Sequence, residues 1–111
     1  MGLQIDEPDW KTLRALHPTL LDRLCAQILD ECRAVMDDAS LTPHQRYLKT
    51  FKLIQRRDDD IDTAFNDMRR SMAILKLTAI RRMGLLTDLE FQRFSAKARE
   101  TVDSLLGLNR G

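Results

Sequence analysis

Residues 43–83 read PHQRYLKTFKLIQRRDDDIDTAFNDMRRSMAILKLTAIRRM. After Pro43 the stretch contains no proline or glycine, and Gly84 follows it. Thr42, Pro43 and Gln45 form a start signal: a threonine cap, proline at the first helical position and glutamine where a capping box needs it. Gly84 is a stop signal, because glycine readily takes the left-handed conformation that ends a helix. The pattern predicts one long helix over 43–83. Steps of four and three along it pick out Tyr47, Phe51, Ile54, Asp58, Ile61, Phe65, Met68, Met72, Leu75 and Ala79. All but Asp58 are apolar or aromatic, which makes a heptad seam.

A helix of that length reaches ~60 Å. A compact domain of this size is only ~30–35 Å across. The excess seam therefore calls for a second chain, and the expected assembly is a homodimeric helical bundle with coiled-coil character. In heptad terms Asp59 and Asp60 point to solvent, while Arg57, Asp62 and Arg69 flank the seam. A parallel pair sets Arg57 against Asp62 of the other chain. An antiparallel pair centred near Phe65 sets Asp62 against Arg69, so the charges leave the orientation open. A break is the competing reading: aspartate is a poor helix former and a good N-cap, so Asp59 or Asp60 starts a second helix. The unbroken apolar phase favours the continuous helix. Asp58 then marks either a wet point of the seam or a polar residue that specifies register.

On the N-terminal side, Trp10, Leu13 and Leu16 predict a short helix capped by Asp6 or Asp9. Pro18 interrupts it and opens a second helix over about 18–37, with an apolar face of Leu20, Leu21, Leu24, Ile28, Cys32, Val35 and Met36. On the C-terminal side, Leu85 and Leu86 make a turn and Thr87 to Glu90 a second capping box. A helix over about 88–106 follows, striped by Phe91, Phe94, Ala98, Val102 and Leu105, and folds back on the end of the long one. The whole of 1–111 is read as a single all-α domain, with 1–8 and 108–111 loose.

Composition narrows the function. Eighteen basic and seventeen acidic residues leave a net charge of +1, so no global field recruits nucleic acid or an anionic membrane. The arginine pairs at 56–57, 69–70 and 81–82 lie ~220° and then ~120° apart around a helix and do not share a face. The apolar stretches are too short for a membrane span, and the first residues lack a signal-peptide pattern, so a cytoplasmic protein is expected. Cys25 and Cys32 sit ~10 Å apart along one helix, too far for a disulfide. No Ser-His-Asp signature, phosphate loop or zinc spacing occurs, and His17 and His44 have no evident catalytic partner. No cofactor or metal is expected. The resulting expectation is a non-enzymatic helical interaction protein: a homodimeric adaptor, subunit or small regulator with a further protein partner. A nucleic-acid-associated regulator and an immunity or antitoxin-type protein that binds a toxic partner are the alternatives.

Overall fold

The computed structural model describes residues 3–107 and is all-helical. Helix α1 spans Glu7–Met36, α2 Pro43–Phe65, α3 Ala73–Arg82, α4 Asp88–Phe91 and α5 Ala96–Leu105, with a 3₁₀ turn over Arg70–Met72 before α3. The expected loose ends at 1–2 and 108–111 lie outside the described residues. Residues 5–8 are ordered into the fold: Ile5 is buried, and Glu7 and Pro8 already belong to α1.

The expected short helix and the helix over 18–37 are one element. Pro18 lies inside α1. It removes an N–H that would bond back to residue 14, at a usual cost of ~3 kcal/mol. Its ring is exposed, so nothing is displaced on the buried side. Leu13, Leu16, Leu20, Leu24, Ile28 and Cys32 form one buried stripe whose phase runs straight through the proline. Burying that stripe outweighs the lost bond.

Helix α1 packs antiparallel on α2 through a turn at 37–42. The Thr42 hydroxyl accepts from the Gln45 amide at 3.1 Å, and the Gln45 side chain accepts from the Thr42 amide at 2.9 Å, as the sequence predicts. The continuous helix over 43–83 does not form: α2 ends at Phe65. Nor does the break fall at Asp59 or Asp60, which remain helical. The chain reverses at 66–69. Asn66 is extended and Asp67 has φ 57°, a left-handed conformation that aspartate tolerates better than most side chains. Asp67 accepts two bonds from the Arg69 guanidinium, 2.7 and 2.9 Å. Lys76, reaching back from α3, donates to the Thr63 and Asp62 carbonyls at 2.9 and 3.3 Å. A buried ammonium thus satisfies the Thr63 carbonyl at the negative end of α2 and adds a second bond to the Asp62 carbonyl, which also accepts from the Asn66 backbone amide.

Helix α3 is the centre of the compact end. Ala73, Ile74, Leu77, Ala79 and Ile80 are buried, together with Lys76 and Thr78. Residues of α1, α2 and α5 contact it. It closes with a Schellman motif: Gly84 (φ 74°) donates to the Arg81 carbonyl and Leu85 to the Ile80 carbonyl. The expected helix over 88–106 is two pieces, α4 and α5, and α5 folds back on α3 as foreseen. The Thr87 capping box forms with Glu90. Ser95 then caps α5, and the buried Asp9 of α1 accepts from its amide (2.8 Å) and hydroxyl (2.6 Å). The buried apolar residues form one cluster. The molecule measures 52 × 29 × 25 Å with a radius of gyration of 16.8 Å, against ~13 Å for a compact chain of this length. The excess length is the far end of the α1–α2 hairpin, which runs on beyond the helices that cover its base.

Candidate interaction surface

Along α2 the predicted seam passes from covered to bare. Phe65 is buried, with its ring edge-on to His17 at 5.3 Å, and Ile61 is half-buried against the core. Asp58 is exposed, and Ile54, Phe51 and Tyr47 are 49, 50 and 66% exposed. Helix α2 faces α1 with Thr50, Leu53, Arg57 and Ala64 instead, about a quarter turn away from the seam. The two rings at the tip lie nearly parallel, 14° between planes and 6.5 Å between centres. Leu48 adds another partly exposed apolar side chain. From α1, Leu29 and Met36 stand seven residues apart on one flank, 54 and 50% exposed. Met36, Pro43, Arg46, Tyr47 and Thr50 line a shallow cleft of about 390 Å³, which puts the apolar flanks of both helices on the same side.

The opposite side of the hairpin has a different chemistry. Its groove, of about 530 Å³, is lined by Glu31, Ala34, Val35, Leu53, Arg56, Arg57 and Asp60. Arg57 sits between Glu31 (3.3 Å) and Asp60 (2.7 Å). Charged side chains line one side, and apolar surface is left bare on the other.

The cleft carries unsatisfied polar atoms. The Arg46 Nη1 donates to the Met36 carbonyl at 2.9 Å, tying the end of α1 to the start of α2. The Arg46 Nε and the Thr50 hydroxyl are buried and have no partner among the described residues. Burying such atoms without a bond costs ~1–3 kcal/mol each. In the adjoining turn, Asp38 accepts from the Ser40 hydroxyl (2.6 Å) and amide (3.0 Å). These bonds hold its carboxyl below the usual range, and Lys49 and Arg46 add a smaller pull.

The other seam positions do not join this surface. Met68 lies in the reversal, half-buried, and Met72 closes the 3₁₀ turn. On α3 Leu75 is exposed and Ala79 buried. The flanking charges are engaged within the chain: Arg57 as above, Asp62 with the Asn66 amide (2.6 Å) and Arg69 with Asp67. Sequence reasoning missed Leu29, Leu48 and Arg46, and it placed Met36 on the packing face of its helix, where the structure leaves it half exposed. The signal for Leu29 was present, since it is a leucine outside the stripe that α1 buries.

The remaining charged clusters serve the fold. Arg23 forks onto Glu90 at 2.6 and 2.8 Å and also donates to the Leu85 carbonyl at 2.9 Å. That hydrogen-bonded pair lowers the Glu90 carboxyl to about 2 against the opposing effect of burial, with help from Thr87. The Arg81 guanidinium lies 4.3 Å over the Phe91 ring and bonds Leu86 and Asp88. Among the described residues no three His, Cys, Asp or Glu side chains converge as a metal ion requires, and no helix is long and apolar enough to cross a membrane. Cys25 and Cys32 are free thiols. Comparison with protein-family models, curated proteins and solved structures finds no match.

Proposed function

We propose that this chain is a non-enzymatic helical interaction protein that docks through the apolar side of the α1–α2 hairpin. A homodimeric adaptor, subunit or small regulator fits that surface. The observation that carries the reading is the sidedness of the hairpin tip. Tyr47, Phe51 and Ile54 with Leu29 and Met36 stand about half or more exposed on one side, while the other side is charged, with Arg57 set between Glu31 and Asp60. The largest exposed apolar patch on a chain is often a functional one, and patches beyond a few hundred Å² mark contact sites. Exposed aromatic and methionine side chains are the types enriched at such contacts. Of the three arginine pairs, the one at 69–70 is engaged within the chain: Arg69 by Asp67, and Arg70 by Glu7 and the Ile5 carbonyl.

Phe51→Asp combined with Ile54→Asp tests the reading. Both positions are exposed, so helix content and melting should change little. Binding to any protein partner, including another copy, should be lost. Arg56→Glu on the opposite side should leave binding intact. A double variant that binds as well as the parent sinks the proposal.

A further inference from the structure

The geometry points to a second copy of this chain as the occupant of the bare side of the hairpin, with α2 crossing α2 antiparallel about a two-fold axis between Phe51 and Ile54. This inference rests on the interaction surface described above and names its partner. In this register Phe51 of one copy packs on Ile54 of the other, and Asp58 lies over Tyr47. The two hairpins together make a four-helix bundle, with Leu29 and Met36 closing its flank.

Three observations support this register. The first is extent. The bare strip runs from Tyr47 to Ile54, and Asp58 follows one turn on. A two-fold axis between Phe51 and Ile54 lays the whole strip on itself. An axis near Phe65 is closed, because α2 ends there and Phe65 is buried in its own chain.

The second is charge. Among the described residues Asp58 and Asp59 have no ion-pair partner, whereas Asp60 and Asp62 are bonded within the chain, and of the two free carboxylates Asp58 is the one on the seam. Across the interface it meets the Tyr47 hydroxyl and the Arg46 guanidinium at the mouth of the cleft. Among the described residues no carboxylate is bonded to Arg46, which pulls only weakly on Asp38 and donates from Nη1 to the Met36 carbonyl. A parallel pair in register would do the reverse, stacking Asp58 on Asp58 inside the seam, where like charges repel. The one polar residue of the seam therefore selects the antiparallel arrangement.

The third is area. Tyr47, Phe51, Ile54, Leu29 and Met36 are each about half or more exposed, and a stable interface needs ~800 Å² per partner including its polar rim. These side chains supply the apolar centre of such an interface, and the charged residues around them supply the rim.

Sedimentation equilibrium on the full chain tests the pairing by charge reversal. The parent should be a dimer at micromolar concentration. Asp58→Arg, at an exposed position that carries no fold contact, should weaken the dimer about tenfold or more, and so should Arg46→Asp. The double variant carrying both changes should recover most of the loss. A parent that stays monomeric at ~100 µM, far above a working interface's Kd, overturns the second copy as occupant. The interaction surface still stands in that case if Phe51→Asp with Ile54→Asp abolishes binding to another protein. A dimer that Asp58→Arg leaves as tight as the parent overturns the register. If Arg46→Asp does not fold, Asp58→Arg alone decides between these outcomes.

Discussion

At the scale of single residues, charge in this protein mostly holds the chain's own ends and turns. Glu90 caps α4 through the Thr87 amide and is forked by Arg23 from α1, so one carboxylate joins a local and a distant bond. Its carboxyl is lowered to about 2 from an ordinary value of 4.5. A lowered carboxyl stabilises the fold fully above the unfolded value and loses that contribution as pH falls through the folded one. Stability should therefore decline between about pH 4.5 and pH 2. Glu90→Gln should cost about 1–2 kcal/mol at pH 7, after allowance for the partial exposure of Arg23. Against the parent, the deficit in melting temperature should shrink toward pH 2; a deficit independent of pH would assign the loss to packing. The capping half of this cluster was legible in Thr87-Asp88-Leu89-Glu90. The arginine that completes it was not, because Arg23 lies 67 residues away in sequence.

At the scale of elements, besides the split of the last helix into α4 and α5, two helix boundaries departed from the pattern in opposite directions. Pro18 suggested a break, and α1 runs through it. The stripe from Leu13 to Leu24 keeps its phase there, and that periodicity was the better signal. Pro18→Ala should restore an N–H in an exposed helix interior and raise stability by about 1–3 kcal/mol in thermal melts. An unchanged melt would show that α1 is kinked to accommodate the ring. Residues 43–83 suggested continuity, and the chain turns back at 66–69. The apolar phase looked unbroken because α3 is apolar on most faces. Met72 and Leu75 extend the seam on paper, while Ala73, Ile74, Leu77, Ala79 and Ile80 are the apolar residues the fold buries. A helix that is hydrophobic nearly all round accepts several seams and so specifies none. Asn66-Asp67 was the overlooked turn signal, since both side chains tolerate the left-handed backbone.

At the scale of the whole molecule, the core and the interaction surface divide the hairpin between them. Its base is covered by α3 and its neighbours, and its tip is left as two helices with one bare side. Two isolated helices hold their amides less firmly than a packed core does. Hydrogen exchange should therefore show strong protection around Leu77 and Leu24 and weaker protection over 44–55 in dilute protein. Protection over 44–55 should rise with concentration as the tip pairs, while the core stays constant. Exchange at the tip that ignores concentration would argue against self-association.

Sequence alone determined the helical class, the capping boxes at Thr42 and Thr87, and the glycine stop at Gly84. Each depends on bonds between residues three to five apart, so a short window holds all the physics. The tertiary structure decided the rest: that α1 survives its proline, that the chain reverses after Phe65, and which face of α3 is buried. These outcomes rest on contacts such as Asp9 with Ser95, which no local pattern encodes. The seam shows both limits. Its apolar spacing was readable from the start. Only the packing of α1 and α3 showed that Phe65 is used internally, while Tyr47, Phe51 and Ile54 remain bare.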